Sequence, residues 1–174
     1  MKRNIRAVEL TIVCGSCGFI VVLAVSAVWQ ADIRWLHFVQ AWMYIATIAL
    51  ALKQNRWGYF IGISAAGLWD LTNLVATSFF RNGLDALAAS LRTGHLTRPD
   101  QLIAVFAWVS NLVVVAGCLW GYARLRTTAS GDVARFVVAF AATTAFFAAD
   151  MALFQPRYLS LFVRLVHPSQ WLIY

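Results

Sequence analysis

The stretch Gly67-Leu68-Trp69-Asp70-Leu71-Thr72-Asn73-Leu74-Val75 lies inside an apolar run from Trp57 to Phe80, bounded by Arg56 and Arg81. A hydrocarbon core of about 30 Å takes roughly 20 apolar residues as helix, so the run has the length of a membrane span. The carboxylate of Asp70 near its centre either breaks that reading or marks a site within it. Composition favours the span. Of 174 residues, 61% are hydrophobic and 12% charged, whereas a soluble domain is about half apolar and about a quarter charged.

Working outward, four more segments have the same character: Ala7–Trp29, Trp35–Leu52, Leu102–Ala123 and Phe136–Phe154. Arginine, lysine, aspartate or proline punctuates nearly every end. The alternating pattern of a membrane barrel is absent. The expected fold is therefore all-α: a polytopic membrane helix bundle of five transmembrane helices, a single transmembrane domain over residues 1–174. Met1 to Arg6 followed by an apolar stretch resembles a secretory signal, with Val25-Ser26-Ala27 as a cleavage-like site. The apolar run is long for a signal, so it is read as a membrane anchor.

Two further segments are amphipathic. Leu84, Leu87, Ala88 and Leu91 recur at helical spacing, with Asn82 as a cap, Asp85 in the first turn, Arg92 in the last and Gly94 to end it. This spacing predicts a short helix over 82–92 on the outer surface. After Pro156, Leu159, Phe162, Val163 and Val166 form an apolar stripe opposite Arg157, Ser160, Arg164 and His167. An interfacial helix over 157–168 follows, with Trp171 and Tyr174 as interface aromatics.

Charge sets the expected orientation. With the N-terminus cytoplasmic, the inside holds Lys2, Arg3, Arg6, Lys53, Arg56, Arg124, Arg126 and Arg135, in short loops. The outside holds Arg34, Arg81, Arg92, Arg98, Arg157 and Arg164, spread over longer ones. The bias gives a multi-pass protein of a bacterial cytoplasmic (inner) membrane, with the C-terminus outside. The net charge of +7 forms no cluster or stripe, so nucleic acid is not an expected partner. The lipid bilayer is.

Antiparallel spans assign a depth to each polar residue. Ala66, Asp70, Asn73 and Thr77 share one face of the third span; His37, Gln40, Tyr44 and Thr47 share one face of the second. Ser110 and Asn111 are near mid-membrane in the fourth, with Trp108 one turn outward. Thr143 and Thr144 are central in the fifth, and Asp150 lies in its outer half. A charged carboxylate at mid-bilayer costs at least about 2.5–3.5 kcal/mol. Asp70 must then face the bundle interior, find donors, or take up a proton or cation. No span offers a lysine or arginine at that depth. Asn, Ser, Thr and Gln between membrane helices often serve only as interhelical bonds worth about 0.6 kcal/mol each. An intramembrane carboxylate, by contrast, is a functional candidate by default.

Gly58, Gly62 and Ala66, Gly117 with Gly121, and Ala141, Ala145 and Ala149 give close-packing edges, for internal contacts or for a partner. Cys14-Gly15-Ser16-Cys17 is a CxxC within an apolar span, read as a packing patch rather than a redox pair. Neither haem nor a metal site has a ligand set, so no cofactor and no metal is expected. No catalytic nucleophile–base pair is evident, which points away from an enzyme. Of the deeper tryptophans, Trp69 and Trp108 flank the polar centre.

The leading expectation is binding or transport of a small molecule, proton or ion in a cavity opening outward and centred on Asp70. Asn73, Asn111, Gln40, Tyr44, Trp69, Trp108 and Ser110 would complete it. His37 and Asp150 would stand at the mouth, and the helix over 82–92 would act as a lid. The alternative is a non-catalytic accessory or scaffold subunit of a larger membrane complex, with a second copy or another membrane subunit as partner.

Overall fold

A computed structural model describes residues 7–125 and 130–166. Lys2, Arg3, Arg6, Arg126, His167, Trp171 and Tyr174, which carried some of the expectations above, lie outside the described residues. Among the described residues seven α-helices follow one another: α1 Ala7–Trp29, α2 Arg34–Leu52, α3 Arg56–Val75, α4 Phe79–Thr93, α5 Pro99–Ala123, α6 Asp132–Phe154 and α7 Ser160–Val166. Short 3-10 turns at Ala31–Ile33 and Pro156–Leu159 lead into α2 and α7. There is no strand among the described residues. α1, α2 with its leading turn, α5 and α6 are each long and apolar enough to cross a membrane; α3 and α4 qualify as one further span only when taken together.

Those two helices are bent by 76° at their junction. The apolar run 57–80 is thus two helices: α3 stops at Val75, and Phe79 and Phe80 begin α4. No proline or glycine lies at the break. Instead the short polar side chains of the segment satisfy the backbone groups that the helix releases. Thr77 Oγ1 donates to the Asn73 carbonyl at 3.2 Å and accepts from the Phe79 N–H at 3.2 Å. α4 therefore starts three residues before Asn82. It ends, as its sequence suggests, at Gly94, whose φ of +68° is the left-handed cap that glycine adopts without strain. Asn55 caps α3 by accepting from the Trp57 N–H at 3.0 Å, and Pro99 sits in the first turn of α5, where its missing N–H costs nothing.

α1, α2, α3 and α5 close a four-membered ring, each packing on the next and α5 returning to α1. Pairings fix the directions. Gly62 of α3 lies against Thr47 of α2 and Cys118 of α5, and Tyr44 of α2 bonds to Asn111 of α5, which bonds to Asp70. α3 is thus antiparallel to both α2 and α5. α6 runs parallel to α3, with Phe147 against Leu68 and Asp132 against Arg56. The centre of the ring is Phe19, Tyr44, Ile12, Val114 and Cys118, all buried. α4 packs across α5, its Gly83 against Ala104 and the Gln101 backbone. Large apolar side chains remain on the outside, among them Trp35, Phe38 and Trp42 along one face of α2. That is the inverse of a soluble surface and suits a lipid-facing one.

At the end where α1 begins, polar groups tie four helices. Gln54 donates to Glu9 at 3.0 Å. Asp132 accepts from Arg56 at 2.5 Å, Arg135 at 2.8 Å and Tyr122 at 3.1 Å. Backbone proximity is greatest in the α2–α3 hairpin. A Cβ on Gly58 would stand 2.6 Å from Leu50 Cβ and 2.7 Å from the Ala51 backbone nitrogen. Backbone atoms cannot step aside, so Gly58→Ala should splay the hairpin and destabilise by about 1–3 kcal/mol. Gly67, on the same helix, has nothing within 4 Å of its Cβ position. Gly67→Ala should gain up to about 1 kcal/mol through helix propensity. Thermal unfolding of both variants in detergent checks the pair, and equal shifts would refute the packing argument.

Candidate functional site

Asp70 faces the interior, 8% exposed. Its Oδ1 accepts from Asn111 Nδ2 at 3.1 Å, and Asn111 Oδ1 accepts from the Tyr44 hydroxyl at 2.8 Å. Asn111 is fully buried and Tyr44 nearly so, stacked on Phe19 with ring centroids 4.5 Å apart. The carboxamide suits this post because it donates on one side and accepts on the other. Three helices are joined by two bonds. Asp70 Oδ2 has no partner among the described residues. Asn73 is not a partner of Asp70; its Nδ2 turns back to the Trp69 carbonyl at 2.9 Å.

A cavity of about 360 Å³ lies next to this network. It occupies the bundle end at which α1 and α3 finish and α2 starts. From α2 come His37 and Gln40, and from α3 come Trp69, Thr72 and Asn73. Gln40 and Asn73 are each about one helical turn nearer that end than Tyr44 and Asp70, neither of which lines it. Ser26 of α1, Phe79 of α4 and Phe147 of α6 complete the walls. Gln40 is 5% exposed, lines the cavity, and has no hydrogen-bond partner among the described residues. His37 Nδ1 is buried without a partner as well. Among the described residues no Asp, Glu, Lys or Arg is part of the lining.

The segment after α6 forms one wall of the cavity. Tyr158, Leu161 and Phe162 line it, and polar contacts hold the segment at both ends. Gln155 Nε2 donates to the Asp32 carbonyl, and Arg157 pairs with the Asp32 carboxylate. That bond holds the exposed Arg157 guanidinium above its ordinary pKa. Arg164 donates to the Ala76 carbonyl at 3.1 Å, an acceptor in the α3–α4 junction. The expected lid, the helix over 82–92, contributes only its beginning: Phe79 and Asn82 line the cavity, while the rest packs on α5.

The residues proposed from sequence thus divide. Asp70, Asn111 and Tyr44 meet in one network; Gln40, Asn73, Trp69 and His37 meet at the cavity. Trp108 instead stacks on Phe80 at 4.6 Å. Ser110 packs against Gly15 and Gly18 of α1, away from the cavity. Asp150 is 2% exposed, with both carboxylate oxygens unpartnered, and is not part of the lining. The CxxC packs through its intervening pair: Gly15 and Ser16 are buried, whereas Cys14 and Cys17 point outward. Gly58, Gly62, Gly117 and Gly121 are spent on internal contacts, but Ala141, Ala145 and Ala149 of α6 face out. Among the described residues no three His, Cys, Asp or Glu side chains gather as metal ligands. Sequence reasoning missed the wall formed by the segment after α6, Thr72 and Phe147; the stripe of Leu159 and Phe162 was the available signal. No family model, curated protein or solved structure matches this chain.

Proposed function

We propose that the chain is a multi-pass protein of a bacterial cytoplasmic membrane that binds a small molecule in the cavity bounded by α2, α3, α6 and α7. The observation that carries this reading is the cavity itself. At about 360 Å³ it is in the range of roughly 300–1,000 Å³ typical of ligand pockets, and it joins aromatic walls to a few polar groups, as such pockets do. The lining without charged residues favours a neutral molecule over a proton or ion. In this reading α3 is the fifth membrane-embedded helix, α4 turns across the bundle at its outer end, and the cavity opens outward, away from the short loops holding Lys53, Arg56, Arg124 and Arg135. Asp70 acts behind the cavity: with Asn111 and Tyr44 it fixes where α2 and α3 present Gln40 and Trp69.

Native mass spectrometry of the purified protein tests this. Wild type should carry a small-molecule adduct that is not lipid, and Ser26→Phe, which fills the cavity from α1, should lose it while keeping its melting temperature. Identical spectra for the two proteins would refute the reading. The outward small-residue face of α6 favours a second reading, an accessory subunit docked by that helix. A second polypeptide retained in the same spectra is its expected sign.

A further inference from the structure

A carboxamide that borders a cavity, with neither its donor nor its acceptor used by the protein, is free to pair with whatever fills that cavity. Gln40 is in that position: 5% exposed, part of the lining, and without a hydrogen-bond partner among the described residues. His37, three residues before it on the same helix, adds a buried, unpartnered ring nitrogen. Thr72 and Asn73, also in the lining, have turned their own polar groups to the Leu68 and Trp69 carbonyls. Among the buried side chains of the lining, Gln40 is therefore the one with a full complement left to offer. The rest of the wall is aromatic on two sides. Trp69 and Phe79 meet edge to face at 6.1 Å on the α3–α4 side, and Phe147 and Phe162 stand on the α6–α7 side.

Resting on the binding reading above, we propose that the cavity takes a neutral, planar molecule that presents a hydrogen-bond donor and acceptor side by side, read by the Gln40 carboxamide. Carboxamides, lactams and lactam-like heterocycles form the class. The Gln40 oxygen accepts the ligand N–H, the Gln40 amine donates to the ligand oxygen, and the flat apolar body fits between the aromatic walls. An anion or cation of the same shape is rejected, because the described lining contains no Asp, Glu, Lys or Arg to repay its desolvation. A hydrocarbon of the same shape binds more weakly, because Gln40 stays unpaired.

Three probes of nearly equal shape separate these statements: 2-naphthamide, 2-isopropylnaphthalene and 2-naphthoate. Their affinities are measured by calorimetric titration of the full chain in detergent, corrected for partition into protein-free micelles. For wild type, 2-naphthamide should bind about tenfold more tightly than 2-isopropylnaphthalene, and 2-naphthoate should not bind measurably. Gln40→Met, close in volume, should weaken 2-naphthamide and bind 2-isopropylnaphthalene more tightly than wild type does, reversing the order of the two probes and showing that the variant is folded. If 2-isopropylnaphthalene and 2-naphthamide bind wild type equally, the carboxamide reading is overturned while the cavity stands as a binding site. That comparison decides the matter even if Gln40→Met does not fold. If no probe binds, both readings fall together.

Discussion

Asn111→Leu should cost the protein about 2–5 kcal/mol, more than any other single change near the cavity. Leucine keeps the volume of the side chain and removes both of its bonds. The Tyr44 hydroxyl and Asp70 Oδ1 are then left without partners beside a fully buried position, and each such orphan costs about 1–3 kcal/mol. The triple variant Tyr44→Phe, Asn111→Leu, Asp70→Leu removes donors and acceptors together and should recover most of the loss. Unfolding of both proteins in the same detergent measures the difference. A single variant as stable as wild type would mean that the three groups are not one unit.

The second large effect is at the opposite end of the bundle. Asp132 is 7% exposed and accepts from three side chains on three helices. Asp132→Ala takes the carboxylate from Arg56, whose side chain is only 21% exposed. Breaking a buried pair from one side costs about 3–5 kcal/mol. Arg135, 38% exposed, adds little, because a solvated pair is weak. Arg56→Met combined with Asp132→Leu should be more stable than Asp132→Ala alone, since both halves of the pair are then replaced by apolar groups. A melting temperature for Asp132→Ala within a degree of wild type would refute this account.

How much of this was legible in the sequence depends on the kind of signal. Helix existence rests on long runs of apolar residues, and four of the expected segments are single helices. The exception was 57–80, where hydropathy averages over Ala76-Thr77-Ser78 and cannot sense that Thr77 caps the next helix with its own hydroxyl. The meeting of Tyr44, Asn111 and Asp70 followed from depth, since antiparallel spans bring equal depths together. Depth says nothing about rotation within a polar stripe. Gln40 and Tyr44 are one turn apart on α2, yet one borders the cavity and the other the network beneath it. Asn73 was assigned to Asp70 by the same spacing, but local geometry turns it to its own backbone. The role of the segment after Pro156 could not be read from periodicity, because Arg164 reaches an acceptor that exists only where α3 breaks.

The placement of α4 separates two tasks that a single helix usually combines. It is seated on α5 by its smallest residues, Gly83 and Ala86, which are buried, while Leu84 and Leu91 are exposed. Having turned 76° from α3, α4 runs nearly crosswise to the bundle, as a float rests on a surface. Its leucines are spare to the fold and free to dip into whatever covers that end. Leu91→Ser should thus leave thermal stability alone and change only how firmly the floor of the bilayer grips this rim.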